Sequence, residues 1–200
     1  MLPKLFRMLA AVGMLGLVAC ASTSLMDSWL DPSVTSEMRF KKIAVAVLSK
    51  DQSVRRAAED ALVTQIKRSD AVPSYTLISD SEGKDRERVK ARLREAGVDG
   101  VIVMRVIGVD KETTYVPGTY PQPYHTFGGY YGMAHPAAYS PGYLATDTIV
   151  QIETNVYSLA DEKLIYAARS ETFNPGETAK LVRDIAKAIA HDLKKRGVLR

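Results

Sequence analysis

Cysteine is nearly missing from this chain: Cys20 is the single copy in 200 residues. One thiol can form neither an internal disulfide nor a zinc–thiolate cluster. Histidine is scarce as well, with His125, His135 and His191 its three copies. The first two stand ten residues apart, with no carboxylate within ten residues of either, so no metal centre is expected. No Gly-x-Ser-x-Gly elbow, His-Glu-x-x-His, P-loop or Gly-x-Gly-x-x-Gly occurs, which leaves no motif for hydrolysis, phosphoryl transfer or dinucleotide binding. Acid pairs such as Glu153 with Glu171 are the one opening for glycan cleavage. Those carboxylates fall on strand-like segments that scatter charge anyway. No cofactor and no catalysis are expected.

Long apolar runs are missing too. The longest uncharged apolar stretch near the start, Met8 to Val18, covers eleven residues, against the ~20 a helix needs to cross a bilayer. It follows a short basic segment with Lys4 and Arg7 and precedes Leu17-Val18-Ala19-Cys20. Basic start, short apolar run and small residues before a cut are the layout of a secretion signal. With a cysteine directly after the cut, the segment resembles the lipobox of bacterial lipoproteins. The resemblance implies cleavage between Ala19 and Cys20, a diacylglycerol thioether on Cys20 and an N-acyl chain on its new amino group. Residues 1–19 are then a signal peptide and 20–39 a lipidated, turn-rich tether. Three acyl chains anchor far more firmly than the marginal hold of one.

Charge is balanced. Two of the 27 cations, Lys4 and Arg7, fall in the leader, leaving 25 against 23 acidic residues, or +2. That is too mild a field to argue for nucleic acid.

From residue 40 onward the patterning predicts one α/β (α+β) domain, 40–200. Phe40–Leu48 is short, β-branched and almost wholly apolar, as a strand covered on both faces should be. Asp51 or Ser53 can cap a helix carrying Val54, Ala58, Leu62 and Ile66 on one stripe, with Arg55, Arg56, Glu59 and Lys67 turned elsewhere. Pro73 breaks the chain, and Tyr75–Ile78 reads as a second strand. A helix over Lys84–Ala96 ends at Gly97, where a left-handed residue suits a C-terminus. Val101–Ile107 is the third strand. Thr146–Ser158 and Lys163–Phe173 form a hairpin, with Val150, Ile152 and Val156 facing Leu164, Tyr166 and Ala168, and Glu153 set near Arg169 on the other side. A last helix from about Glu177 to Lys195 buries Leu181, Val182, Ile185, Ile189 and Leu193, and Gly197 stops it. The expected order is β-α-β-α-β-β-β-α, a single mixed sheet of about five strands with three helices. Trp29, alone in the tether, is expected to dock on this domain.

Between Thr113 and Thr146 there is no Asp, Glu, Lys or Arg. Seven of the ten tyrosines lie there: Tyr115, Tyr120, Tyr124, Tyr130, Tyr131, Tyr139 and Tyr143. Gly and Pro recur too often for a membrane-crossing strand. Solvated coil is normally charged and poor in aromatics. An uncharged loop 113–146 of this kind, without regular structure, covers an open face of its own sheet, projects as a contact surface, where tyrosine gives large amphipathic area at small entropic cost, or is disordered.

Several short motifs together resemble a family of bacterial envelope lipoproteins whose function is not assigned. They are Trp29 with Asp31-Pro32, Lys41-Lys42-Ile43-Ala44-Val45-Ala46-Val47, Arg55 with Glu59-Asp60, Val72-Pro73-Ser74-Tyr75, Val98-Asp99-Gly100-Val101 and Tyr115-Val116-Pro117-Gly118. The strand order also resembles the α/β domain of the curli-secretion lipoprotein, the lipoprotein activator of penicillin-binding proteins and the N-terminal part of TolB. The resemblance implies an outer-membrane lipoprotein facing the periplasm, since Ala21 rather than Asp follows the lipidated cysteine. The resemblance names no partner; the anchor, the lack of catalytic motifs and the uncharged aromatic insertion point to an envelope protein or peptidoglycan, met through the seven tyrosines. An oligomeric component of an envelope assembly or secretion system is the alternative, and a cell-wall glycan hydrolase a more distant one.

Overall fold

Seven residues, Lys42–Leu48 (β2), are covered on both sides because both of their faces are apolar. Ile43 and Val45 pack with Ala58, Leu62, Val182 and Ile185 on one side, and Ala44 packs with Leu93, Val98 and Val101 on the other. The computed structural model describes residues 22–34, 39–79, 81–118, 126–138 and 142–198. Around β2 it places β1 (Ser22–Leu30), α1 (Gln52–Val63), β3 (Asp70–Pro73), α2 (Arg86–Glu95), β4 (Gly100–Val116), α3 (Phe127–Ala138), β5 (Tyr143–Ser158), β6 (Lys163–Phe173) and α4 (Thr178–Lys195). One mixed sheet runs in the order β1-β6-β5-β4-β2-β3. β2 is parallel to β3 and β4, and every other pairing is antiparallel. α1 and α4 cover one face, while α2 packs over Ala44 and Val101 on the other.

The mixed sheet matches the expected class, with six strands for five and, among the described residues, four helices for three. The local signals hold where the chemistry is local. Asp51 caps α1, its side chain accepting from the backbone N–H groups of Ser53 and Val54. Gly97 and Gly197 both adopt φ above +70°. The next residue in each case returns its N–H to the helix, Val98 to Leu93 O and Val198 to Leu193 O, and each pair is buried together. Gly100 has a different duty. A Cβ there would lie 2.6 Å from the Phe40 ring, which lies across the start of β4.

Three expectations need correcting. Residues 75–78 are not a strand. The strand is Asp70–Pro73, an edge position where the missing proline N–H costs nothing, and Ser74–Thr76 is a single 3-10 turn. Leu164 does not share a face with Val156. An irregularity between Val156 and Tyr157 pairs Leu164 with Tyr157, and Ile165 and Tyr166 take the buried places. Residues 22–30, polar enough to read as tether, form the sheet edge beside β6. Asp192 on α4 holds that edge. Its Oδ2 accepts from Ser28 Oγ (2.8 Å), Tyr166 Oη (3.0 Å) and Arg196 Nε (2.9 Å).

Glu59 departs furthest from its expected place. It does not point to solvent but is wholly buried. Oε1 accepts from Val47 N (3.0 Å), Arg55 Nε (3.0 Å) and Ser74 Oγ (2.9 Å), and Oε2 from Tyr75 N (3.1 Å). One carboxylate therefore joins α1 to the end of β2 and to the turn after β3. Beside it Tyr75 Oη donates to Asp60 Oδ1 at 2.7 Å, and the Arg56 guanidinium lies 5.4 Å from the Tyr75 ring centre.

Two outcomes follow from these contacts. In Glu59→Gln the amide nitrogen confronts a backbone donor, and Arg55 loses its counter-charge. A loss of about 2–3 kcal/mol is expected in urea titrations, and a loss within the ~0.5 kcal/mol of an ordinary surface change would contradict the assignment. The second concerns acid. Hydrogen bonds from the side chain and backbone of Ser33, then Lys163, hold the Asp31 carboxyl at about 2 instead of 3.8. Burial works against ionisation of Asp192, but the bonds from Ser28, Arg196 and Tyr166 outweigh it and lower its pKa. Depressed carboxylates stabilise the fold above their usual value and cease to do so as pH falls through the folded one. Trp29, the sole tryptophan, should therefore change its emission as pH falls from 3.8 towards about 2, ahead of far-UV ellipticity. Coincident transitions would mean that β1 is not separately held.

Candidate interaction surface

β4 and β5 pair along their whole lengths, from Gly100↔Ser158 to Val116↔Tyr143. Their neighbours stop sooner. β2 leaves β4 after Leu48↔Arg105, and β6 leaves β5 at Ile149↔Phe173. Asn174, just past β6, still exchanges bonds with Thr148, its N–H donating to Thr148 O at 2.7 Å and its Oδ1 accepting from Thr148 N at 2.8 Å. From Glu112↔Asp147 outward the two strands pair only with each other. At ~3.3 Å per residue this two-stranded ribbon carries its tip roughly 20 Å beyond the sheet. Both of its outer edges lack a strand partner among the described residues.

α3 sits at the tip, in a segment expected to be without regular structure. Phe127-Gly-Gly-Tyr-Tyr-Gly-Met-Ala-His-Pro-Ala-Ala is a poor helix former, but its start is capped. Thr126 Oγ1 accepts from Gly129 N at 3.2 Å, and Thr126 O accepts from Tyr130 N at 3.0 Å. Phe127, Tyr131 and His135 then recur at one-turn spacing and contact in series, with ring centres 5.7 and 5.5 Å apart. At the base of the segment the hydroxyl end of Tyr115 lies against Gly142, where a Cβ would push the ring aside.

Four of the seven tyrosines fall within the described residues, and all four face solvent. Tyr115, Tyr130, Tyr131 and Tyr143 are 50–62 % exposed, and Phe127 is 82 % exposed. Leu144 and Val109 add exposed apolar area along the ribbon. Tyr120, Tyr124 and Tyr139 lie outside the described residues, as do Ala19 and Cys20. Among the described residues the segment does not cover the sheet, and the centre of the open face is charged, with Trp29 and Phe173 as its exposed apolar side chains. In register across four strands that face carries Arg105, Glu153, Arg169 and Asp27. The ion pairs are Arg105 with Glu153 and Arg169 with Asp27, the latter at 2.8 Å. Glu153 and Arg169 are cross-strand neighbours as expected, but each bonds outward. Trp29 stands opposite Ala167 on the same face and is 44 % exposed, half docked.

Among the described residues no three His, Cys, Asp or Glu side chains gather where they could hold a metal, and no helix is long and apolar enough to cross a membrane. The motifs that carried the family resemblance meet in pairs. Arg55, Glu59 and Asp60 meet Ser74 and Tyr75. Asp99 accepts from the backbone N–H groups of Lys41 and Lys42 at 2.9 and 3.0 Å. Their work is to hold the fold.

No protein-family model matches the chain, and no curated protein does. Solved structures similar to it at low identity include the following three. A dodecamer of a PelC point variant from Paraburkholderia phytofirmans is 12% identical with a TM-score of 0.43, over 90% of this chain and 98% of that one. A PelC dodecamer of the same species in another crystal form is 11% identical with a TM-score of 0.42, over 84% and 95%. Lipoprotein GNA1162 from Neisseria meningitidis is 11% identical with a TM-score of 0.39, over 77% and 98%. None of the three bears the name of the curli-secretion lipoprotein, the activator of penicillin-binding proteins or TolB. These likenesses are too remote for any property of those proteins to pass to this chain.

Proposed function

We propose that this chain is a non-catalytic outer-membrane lipoprotein, anchored through Cys20 and facing the periplasm, that binds an envelope partner through the tip of the β4–β5 ribbon. The supporting observation is the exposure of Tyr115, Phe127, Tyr130, Tyr131 and Tyr143, all facing solvent within the uncharged segment 113–146. Exposed apolar area of this kind on a soluble fold marks a contact surface, and rigid aromatic anchors dominate such contacts. The partner is an envelope protein or the peptidoglycan, whose sugar faces suit tyrosine stacking. A second reading, an oligomeric envelope assembly, is favoured by the two unpaired ribbon edges, since an open strand edge is a template for another chain.

Joining Val116 to Tyr143 by a two-residue turn in place of 117–142 removes the tip at a point where the strands already pair. Crosslinking in intact envelopes should then lose the bound partner at least tenfold, with the melting temperature unchanged. Gel filtration of the detergent-solubilised proteins reads the second reading in the same samples. A parallel Cys20→Ser chain should lose both membrane fractionation and labelled palmitate. An unchanged partner profile would overturn the contact surface, and a serine variant that still takes up palmitate would overturn the anchor.

A further inference from the structure

A cleft of about 1200 Å³ opens between α1, α4 and the helix-covered face of the sheet. It is larger than the ~300–1,000 Å³ of most small-molecule sites. Its accessible walls are apolar, from the Ile66 that follows α1, Ile102 on β4 and Ala186, Ile189 and Ala190 on α4, over a floor of the buried Leu62, Met104, Val156, Ile185 and Leu193. The lining also includes six cations, among them Lys67, Lys187 and Lys194, against the two carboxylates Asp70 and Asp99. Both acids are already engaged, Asp99 by two backbone N–H groups and Asp70 by Lys42 at 3.9 Å. The electrostatic surplus is positive.

One wall atom does not match the rest. Thr154 is 3 % exposed and lines the cleft, and its hydroxyl has no hydrogen-bond partner among the described residues. Other buried hydroxyls on the same face are satisfied, Ser170 by Ile152 O at 3.3 Å and Thr172 by Thr23 at 2.8 Å. A buried hydroxyl left alone is costly, which calls for a polar atom delivered into an otherwise apolar space.

We infer that the cleft binds a single-chain anionic lipid, a long-chain fatty acid. Its acyl chain lies along the apolar walls, its anionic head meets the lysines, and a polar atom next to the chain, or a water brought in with it, satisfies Thr154. A chain with a negative head fits all three features. A neutral amphiphile would leave the positive surplus without its complement, and a soluble polar ligand would leave the walls wet. This site is separate from the aromatic tip and does not depend on the ribbon's role.

The test uses the full lipidated chain in phosphatidylcholine vesicles, with a diazirine-bearing sixteen-carbon fatty acid and its neutral glycerol ester as photoprobes. Peptide mapping should place the fatty acid on the segments around Leu62 and Ile185–Leu193, with competition by unlabelled palmitate. Ala190→Trp, which fills the cleft from α4, should cut that labelling at least fivefold. Exposed Lys187→Glu with Lys194→Glu, changes that disturb no packing, should cut labelling by the acid at least fivefold and leave the neutral ester as it was. Labelling only outside the cleft, a natively folded Ala190→Trp labelled like the parent, or equal capture of acid and ester would overturn the inference. Labelling confined to the Cys20→Ser chain would overturn it as well, because the cleft would then hold the protein's own acyl group.

Discussion

The antiparallel ladder between β4 and β5 is the constraint on which the rest depends. At one end it is the spine of the core, with Met104, Ile152 and Val156 buried against α1 and α4. At the other it is a two-stranded ribbon with no strand beside it among the described residues. A free hairpin of that length is marginal in water. This one is continuous with a six-stranded sheet, and the register of the buried half dictates the register of the exposed half. The irregularity between Val106 and Gly108 falls where the ribbon leaves the body, the usual place for a strand to bend and twist. Burial at one end is thus converted into the position of the exposed Tyr115 and Tyr143 at the other.

The body supplies what such an arm requires. Glu59 fixes α1 to the strand that pairs with β4, and Asp99 fixes the entry to β2 beside the entry to β4. Both carboxylates accept backbone donors from segments remote in sequence, so they specify which loops meet. The polar face with its alternating Arg and Asp or Glu residues is stable in water without a cover. The aromatic segment is therefore free to project.

Much of this fold is legible in the sequence because its causes are local. The Asp51 cap, the two left-handed glycines, the apolar stripe of α4 and the two-sided burial of β2 each follow from residues a turn apart. What was illegible has non-local causes. Ser22–Leu30 has the composition of a linker, and only pairing with β6 and the Asp192 contacts make it a strand. Glu59 lies on a helix face that reads as charged, and its burial is set by donors on β2 and at Ser74–Tyr75. The Arg55–Glu59 spacing beside Ala58 and Leu62 was the one available signal. α3 hides behind three glycines and a proline, and its cue is the threonine cap before aromatics one turn apart. The tyrosine-rich stretch was recognisable as unusual, but whether it covers or projects depends on the polarity of a sheet face assembled from four strands. The cleft belongs to the packing of α1 against α4 and has no sequence signature.

The account rests on the ribbon being an ordered extension of the sheet. Hydrogen–deuterium exchange on the full chain measures this directly, residue by residue. The interstrand-bonded amides of 109–116 and 143–148 should be protected in continuity with those of 100–105, and the start of α3 should exchange more slowly than unstructured peptide. Exchange at the unprotected rate from Val109 outward would contradict it, because the tyrosines would then sit on a loose loop.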